Sequence, residues 1–456
     1  MMRLALTAVM CLGVLVSPSG AQPAPVRLTV SDAVSMAFEA SHRLSEVQAR
    51  EEGARATVQV RRAASKPAAT ATAGYTRTNH VDEFGFPRED GSIRVFYPDV
   101  PDNLISRVGA QWPIYTAGRT GALERAAAAE AGAIGAELDT ARADLRFEVR
   151  RAYWAAVTSL ETVQVLQVAL ERAEAQVRDA RQRQDVGLVP PSDVLTFEAQ
   201  RSREALQLIE AENLRESALI ELRRLVGLEP DTPVELADSL DAPPTFTDLT
   251  GMVPDLPAGR PGGADAAALV SEALGQRPER RALTFRLEGA QAREQAAAAG
   301  RKPTLALGGG FDFANPNPKI FPREEKWQPS WDVGVNVSWT LLDGGRARAE
   351  VAEAAAATRA AEARLKDLDT LVAADVRQRL LDLNSSLASV RASEDGVRAA
   401  TEARRVLGER FAVGVATSTD VLVAQDHLLT AELARARALA NVRLAEARLD
   451  RALGRP

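Results

Sequence analysis

Apolar side chains recur every three or four positions over long stretches of this chain. The pattern holds through residues 145–177 and again through residues 365–407. A repeat that stays close to seven residues predicts supercoiled helices that pack along their whole length. No proline interrupts residues 118–185, so one helix there can reach about 100 Å at 1.5 Å per residue.

Four shorter stretches instead alternate apolar residues with small or polar ones, which is typical of β-strands. These stretches are residues 69–75, 105–114, 305–313 and 333–341. Loops rich in Pro, Asn, Asp and Gly follow the first and third stretches, at about 78–103 and 315–330. The pattern predicts two β-hairpins, at 68–115 and 304–342. Gly308 to Gly310 fall inside a strand, where close packing or a bend explains them better than phosphate binding does.

The chain is a tandem duplication. Trp-Pro-Ile-Tyr-Thr-Ala-Gly-Arg at 112–119 returns 227 residues later as Trp-Thr-Leu-Leu-Asp-Gly-Gly-Arg at 339–346, and that offset holds to the glycines Gly227 and Gly454. Upstream, Lys66-Pro67 matches Lys302-Pro303 at an offset of 236. Each copy therefore has the same order of elements: a helix ended by a Lys-Pro pair (30–66 and 266–302), a β-hairpin, and a long helical hairpin.

The expected organisation follows from the repeat and from two unusual segments. The first 21 residues are typical of a secretory signal peptide, with Arg3, an apolar run over 4–16 and small residues before the cleavage site. Residues 22–228 form the first repeat, and residues 264–456 form the second. The connector, 229–263, is rich in proline and predicts little regular helix. Cys11 lies inside the signal behind a poor lipobox, so no lipid anchor is expected.

Composition and charge exclude several classes of function. The mature chain has no cysteine, so it has neither disulfides nor a thiolate metal site. Its net charge is −6, or −7 once Arg3 leaves with the signal, which argues against nucleic acid as a partner. The three histidines (His42, His80 and His427) lie on separate elements, and no phosphate-binding loop is present. We therefore expect no catalytic residues, no cofactor and no metal.

Glycines mark the points where the chain changes direction. Gly187 and Gly414 end the long helices, where a left-handed residue is needed, and Ser192 or Thr419 can cap the helix that follows. Gly118 and Gly345 stand between strand and helix. There we expect a side chain to crowd the neighbouring backbone.

Four strands per chain cannot close a barrel, and an open sheet edge in lipid leaves backbone groups unsatisfied. Three chains supply twelve strands, an even number within the range of outer-membrane barrels. The expected fold is therefore mainly α with a small β part, in which several chains together close a β-barrel and the long helices project from it as a tube. Such an exported chain is best interpreted as a conduit.

The duplication, the two strand-to-helix junctions and the two turns ending in Asp-Val-Leu together resemble the TolC-like outer membrane efflux proteins. The resemblance covers essentially the whole mature chain. It implies a homotrimer in which a trimeric α-helical barrel in the periplasm is continued by a 12-stranded β-barrel, with four strands per chain, that contacts outer-membrane lipid. It also implies a periplasmic adaptor protein and an inner-membrane transporter as partners in a tripartite pump for small molecules.

The resemblance also implies roles for particular residues. The helical turns that meet the adaptor contain Gly187, Leu188, Ser192, Gly414, Val415 and Thr419, and the strand-to-helix junctions contain Pro113, Gly118 and Gly345. A periplasmic gate is implied at Asp193 and Asp420. Some relatives add a carboxylate, an arginine and a tyrosine where this chain has Val423, Ala416 and Phe411. The implied gate therefore consists of Asp420, Asp193 and apolar Phe411, without a polar lock.

Two other functions fit the same pattern. The chain can be the outer-membrane duct of a type I protein secretion system, since polypeptides leave through ducts of this kind. From a different class, it can be an exported trimeric coiled-coil structural protein, which predicts trimers without a pore. Conductance in a planar bilayer separates the conduit from the structural protein.

Overall fold

A computed structural model of the chain describes residues 25–242 and 263–455. The predicted signal peptide, with Cys11, and residues 243–262 of the connector lie outside the described residues. The chain divides into two compact units. Of the described residues, the first unit takes 25–40 and 152–242, and the second takes 41–151 and 263–455.

Eight helices and eight strands lie within the described ranges. The helices are α1 (Val30–Ala40), α2 (His42–Ala63), α3 (Arg119–Asp185), α4 (Pro191–Val226), α5 (Gly263–Gln276), α6 (Pro278–Ala299), α7 (Arg346–Ala412) and α8 (Ser418–Leu453). The strands are β1 (Val26–Leu28), β2 (Ala68–Arg77), β3 (Phe84–Pro87), β4 (Ile93–Tyr97), β5 (Asp102–Tyr115), β6 (Val234–Leu236), β7 (Thr304–Asn315) and β8 (Gln328–Ser338).

Three pairs of helices repeat the sequence duplication to the residue, whereas α5 begins three residues before the position that matches the start of α1. Helices α3 and α7 have 67 residues each, and helices α4 and α8 have 36 each. In each of these two pairs, the first residues are 227 positions apart and so are the last residues. The first residues of α2 and α6, and their last residues, are 236 positions apart. At 1.5 Å per residue, α3 and α7 are each about 100 Å long, as predicted. The predicted helices and their duplication are confirmed.

The helix predicted over 30–66, and its counterpart over 266–302, is wrong in one respect, because each is two helices. Ser41 takes an extended conformation between α1 and α2, and its side chain accepts a hydrogen bond from the backbone N–H of Leu44. Arg277 is extended between α5 and α6, where Pro278 opens the next helix. The residue before a proline is held out of the helical region, and an N-cap serine favours the same break.

All four predicted strands form one antiparallel sheet in the second unit, in the order β2-β5-β7-β8. Strand β5 pairs with β7, so the two hairpins join through the second strand of one and the first strand of the other. Strand β8 ends at Ser338, so Trp339 and Leu341 lie beyond the strand that was predicted to contain them. The loop predicted at 78–103 also contains an antiparallel pair, β3 and β4.

The first unit is centred on Tyr153, whose side chain is fully buried. Its hydroxyl donates to the carbonyl of Leu28 at 3.0 Å and accepts from the backbone N–H of Asp238 at 3.2 Å. Burial raises the pKa of Tyr153. These bonds join β1 to the chain after β6, and the two strands pair in parallel. The connector therefore begins with a short strand, which the sequence did not indicate.

The core of the second unit is aliphatic and lies among α5, α7 and α8. Its buried members are Leu269, Ala273, Val372, Val376, Leu380, Leu383, Val442, Ala445, Leu449, Ala452 and Leu453. Among the described residues, none of the helices combines the length and the apolarity needed to cross a membrane.

Candidate functional site

The four-stranded sheet has one apolar face and one polar face. Cross-strand partners in an antiparallel sheet point to the same side, so the register assigns each residue to a face. One face carries Tyr75, Leu104, Val108, Trp112, Leu305, Leu307, Phe311, Phe313, Trp331, Val333, Val335 and Val337. The other carries Thr70, Thr72, Gly74, Thr76, Gly109, Gln111, Gly308, Gly310, Ser330, Gly334, Asn336 and Ser338.

The apolar face is uncovered in the single chain. Trp331 is 74% exposed and Val335 is 63% exposed. An apolar patch of this extent marks a surface that contacts lipid or another protein. Strands of 10 to 14 residues with apolar and polar residues in alternation match the strands of outer-membrane proteins, which present one face to lipid and the other to a lumen.

Three charged side chains interrupt the polar face near its loop end. Arg107 Nη1 lies 2.9 Å from both carboxylate oxygens of Asp312, and its Nη2 lies 3.1 Å from Asp332. Lys319, from the loop after β7, donates to Asp312 at 2.6 Å and also to Asp332. This cluster was not predicted from the sequence. The alternation within the strands could have indicated it, because Asp312 and Asp332 stand on a face whose other strand residues are mostly small or neutral.

The strand-to-helix junctions use left-handed backbone, as the glycines predicted, but not for the predicted reason. Gly118 has φ +84° and Gly345 has φ +91°. A Cβ at either position meets nothing within 4 Å, so the expected crowding of neighbouring backbone is wrong. The preceding residues, Ala117 (φ 53°) and Gly344 (φ 67°), are left-handed as well. The constraint is therefore conformational rather than steric.

The tryptophans of the repeated junction motif close the base of each hairpin. The indole N–H of Trp112 donates to the carbonyl of Ser65 at 3.1 Å, and that of Trp339 donates to Arg301 at 3.2 Å. These bonds join the segment that follows α2 or α6 to the last part of the hairpin that comes next in the chain. Pro113 lies at a register shift in β5, a position where a strand tolerates a residue without an N–H group.

The two helical turns have the same backbone in both repeats. Gly187 has φ +77° and Gly414 has φ +75°, which confirms their predicted left-handed role. The N–H of Leu188 bonds to the carbonyl of Arg183, and that of Val415 bonds to Arg410, each at 2.8 Å. This pattern satisfies the last carbonyls of a helix.

The predicted N-caps, Ser192 and Thr419, are wrong by two residues. Helix α4 is capped by Pro190 without a side-chain hydrogen bond, and α8 is capped by Thr417. Thr417 and Asp420 form a capping box, in which Asp420 accepts from the Thr417 N–H at 2.9 Å. The spacing Thr-x-x-Asp in the sequence is typical of a capping box and indicates Thr417 as the cap. The first repeat has proline where this box needs threonine.

The capping box changes the electrostatics of Asp420. The backbone N–H of Thr417, and to a lesser degree its hydroxyl, donate hydrogen bonds to the Asp420 carboxylate. These bonds lower the pKa of Asp420. Asp193, its counterpart in the first unit, stands in a first turn without a side-chain cap. Phe411 is partly buried, and its carbonyl accepts from the N–H of Gly414 at 3.0 Å.

Apolar residues stand on both sides of each turn glycine and face solvent. They are Val186 and Leu188 in the first repeat and Val413 and Val415 in the second, each at least 70% exposed. Within the described ranges, no group of three or more His, Cys, Asp or Glu side chains is placed to hold a metal ion.

Comparison with known proteins gives a consistent result. A family model described as "Outer membrane efflux protein" matches residues 33–228 and 269–455. The chain is similar to Protein CyaE of Bordetella pertussis, with 27% identity over 426 residues that cover 91% of this chain and 83% of that protein. It is also similar to the outer membrane protein TolC of Vibrio cholerae, with 26% identity over 67% of this chain and 64% of that protein.

Solved structures share the fold. The outer-membrane channel OprN superposes with a TM-score of 0.77 at 21% identity, over 94% of this chain and 90% of that chain. The outer membrane protein VceC of Vibrio cholerae superposes with a TM-score of 0.75 at 20% identity, over 93% of this chain and 96% of that chain.

Proposed function

Because the chain belongs to the outer membrane efflux protein family, we propose that three copies of it form the passive exit duct of a tripartite efflux pump. The members of this family and the structural neighbours are outer-membrane channels rather than enzymes. The chain is therefore an outer-membrane protein with its helical part in the periplasm. Membership in this family also argues against the exported coiled-coil structural protein.

The observation that carries the proposal is the two-faced sheet with two free edges. Strands β2 and β8 are the outer members of the sheet and have no partner on one side among the described residues. Unpaired backbone groups in lipid cost several kcal/mol each. Pairing β8 of one chain with β2 of the next removes every edge. It also turns the apolar face towards lipid and the polar face towards a lumen.

A passive duct supplies no energy of its own, so the proposed pump needs an energised partner. In the proposed pump, an inner-membrane transporter supplies that energy through a periplasmic adaptor. The adaptor contacts the turns at Gly187, Leu188 and Ser192 and at Gly414, Val415 and Thr419. Exposed apolar side chains beside the turn glycines support this role, since a contiguous apolar surface marks an interaction site.

We assign the periplasmic gate to Asp420, Asp193 and Phe411. Carboxylates gathered around one axis attract cations. The capping box offers a structural role for Asp420, and a matched pair of variants separates the two roles. Asp420→Asn removes the charge and weakens the cap, whereas Thr417→Val weakens the cap and keeps the charge. A gate requires altered conductance or divalent block in the first variant alone. Equal single-channel currents in both variants and the wild type leave Asp420 as a cap.

The duct itself is tested with purified protein in detergent and in planar bilayers. We expect a trimer by light scattering and stable single-channel currents after reconstitution. A monodisperse monomer, or a trimer without conductance, contradicts the proposed duct.

The partner and the cargo are tested in cells. Deletion of the gene should raise the accumulation of a small fluorescent solute, and Leu188→Asp with Val415→Asp should reproduce that defect while currents in bilayers stay normal. If the deletion instead removes a polypeptide from the medium and leaves solute accumulation unchanged, the duct belongs to a protein secretion system.

A further inference from the structure

The charge cluster on the polar face of the sheet consists of Arg107, Asp312, Asp332 and Lys319. Asp312 lies beneath the others, with a side chain only 3% exposed, whereas Arg107, Lys319 and Asp332 are 38–43% exposed. Two cations and two carboxylates give the cluster no net charge. Arg107, Asp312 and Asp332 are the ionisable side chains that the four described strands place on this face. Lys319 reaches it from the loop after β7, and Arg323 of the same loop donates to Asn103 at 3.0 Å, outside the cluster.

The backbone is built to hold Arg107 flat against the sheet. Its guanidinium lies over Gly310, where a Cβ would be 2.7 Å from Nη2 and 2.8 Å from Cζ. A larger residue at Gly310 would push the guanidinium away from the wall. Glycine at this position and the two carboxylates therefore keep the arginine out of the space above the sheet.

Lys319 is held in place by the loop that carries it. Asn317 is 1% exposed, and its amide donates to the carbonyl of Gln328 at 2.8 Å and to the hydroxyl of Ser330 at 3.0 Å. Its carbonyl oxygen accepts the backbone N–H of Lys319 at 2.9 Å. The ammonium group is thus fixed over Asp312 and Asp332 rather than free in solvent.

We propose that this cluster makes the outer part of the duct non-selective for the charge of an ion, because Asp312 and Asp332 together neutralise Arg107 and Lys319 against the wall. This proposal rests on the proposed function, which makes the polar face the lumen. Clefts lined by one sign of charge concentrate counter-ions. A balanced cluster leaves this segment open to solutes of either charge, which suits a passive duct whose selectivity is set elsewhere.

The test is the chloride-to-potassium permeability ratio of reconstituted channels in a salt gradient. Asp312→Asn leaves one uncompensated positive charge per chain, and Lys319→Gln leaves one negative charge. We expect the ratio to rise about twofold or more in the first variant and to fall by a similar factor in the second. Asp102→Asn is the matched control. It makes the same charge change on the apolar face, where Asp102 pairs with Arg77, so its ratio should equal that of the wild type.

The outcomes separate this inference from the proposed duct. If neither Asp312→Asn nor Lys319→Gln changes the permeability ratio, the inference alone is overturned. The same holds if Asp102→Asn shifts the ratio as much as Asp312→Asn does. Wild-type protein that forms no channel overturns the proposed function and this inference with it. If Asp312→Asn does not assemble, Lys319→Gln decides the question, because it changes an exposed loop residue. The permeability ratio of that variant should fall.

Discussion

Two aspartates at matching positions of the two repeats differ in how their carboxylates are held. Asp420 closes a capping box with Thr417, and Asp193 follows a proline cap. A carboxylate whose pKa is lowered in the folded state stabilises that state above its ordinary pKa of about 3.9, and the contribution is lost as pH falls through the lowered value. The first turn of α8 should therefore loosen in acid.

Hydrogen exchange can measure this difference directly. At neutral pH, Asp420→Asn should lower the exchange protection of the first turn of α8, because the amide carries no charge and accepts more weakly from the Thr417 N–H. Lowering the pH below about 4 should then change this turn less than it changes the wild type. Asp193→Asn is the control and should leave the start of α4 unchanged. Equal protection in wild type and Asp420→Asn would show that the capping box does not stabilise α8.

Ala117 carries backbone strain that the second repeat avoids. It is the one non-glycine residue with positive φ in the described ranges, and its counterpart is Gly344. A side chain in the left-handed region costs about 1–2 kcal/mol, part of which glycine loses again as chain entropy. Ala117→Gly should therefore raise the thermal stability of the detergent-extracted protein, by up to about 1 kcal/mol. Gly344→Ala, the reverse exchange at the matching site, should lower it. A stabilised Gly344→Ala would contradict this account.

At the scale of elements, what could be predicted depended on how local the determinants are. The long helices, their turns at Gly187 and Gly414, and four strands follow from periodicity and glycine, which act within a few residues. The pairing of β1 with β6 and the ion-pair cluster around Asp312 depend on residues more than 200 positions apart. No local pattern encodes such contacts. The N-caps were misplaced because the prediction relied on the hydroxyls of Ser192 and Thr419, whereas Pro190 caps α4 without a side-chain bond and Thr417 caps α8 within a Thr-x-x-Asp spacing.

Tyr153 is expected to be the main polar link in the first unit. Tyr153→Phe keeps the ring but leaves the Asp238 N–H without this partner, and leaves the Leu28 carbonyl with its bond from the Ala237 N–H. A buried group that loses its partner costs about 1–3 kcal/mol. We expect faster hydrogen exchange in β1 and β6 and a lower melting temperature. Tyr115→Phe, a half-exposed tyrosine at the end of β5, is the control and should change neither. Unchanged exchange in β1 would show that backbone pairing alone holds this sheet.

At the scale of the whole molecule, the two faces of the sheet determine which side of the barrel contacts lipid and which side faces the lumen. Val335 and Asn336 are neighbours in β8 and point to opposite faces. An arginine on the lipid side of an outer-membrane barrel costs about 2–4 kcal/mol at mid-membrane, whereas lumen positions accept charge. Val335→Arg should therefore reduce insertion of the refolded protein into lipid vesicles, and Asn336→Arg should insert like the wild type. Asn336→Arg should instead raise the chloride permeability of the channel, since it adds a cation to the lumen. The opposite result, with Asn336→Arg blocked and Val335→Arg tolerated, would reverse the faces and place the cluster around Asp312 against lipid.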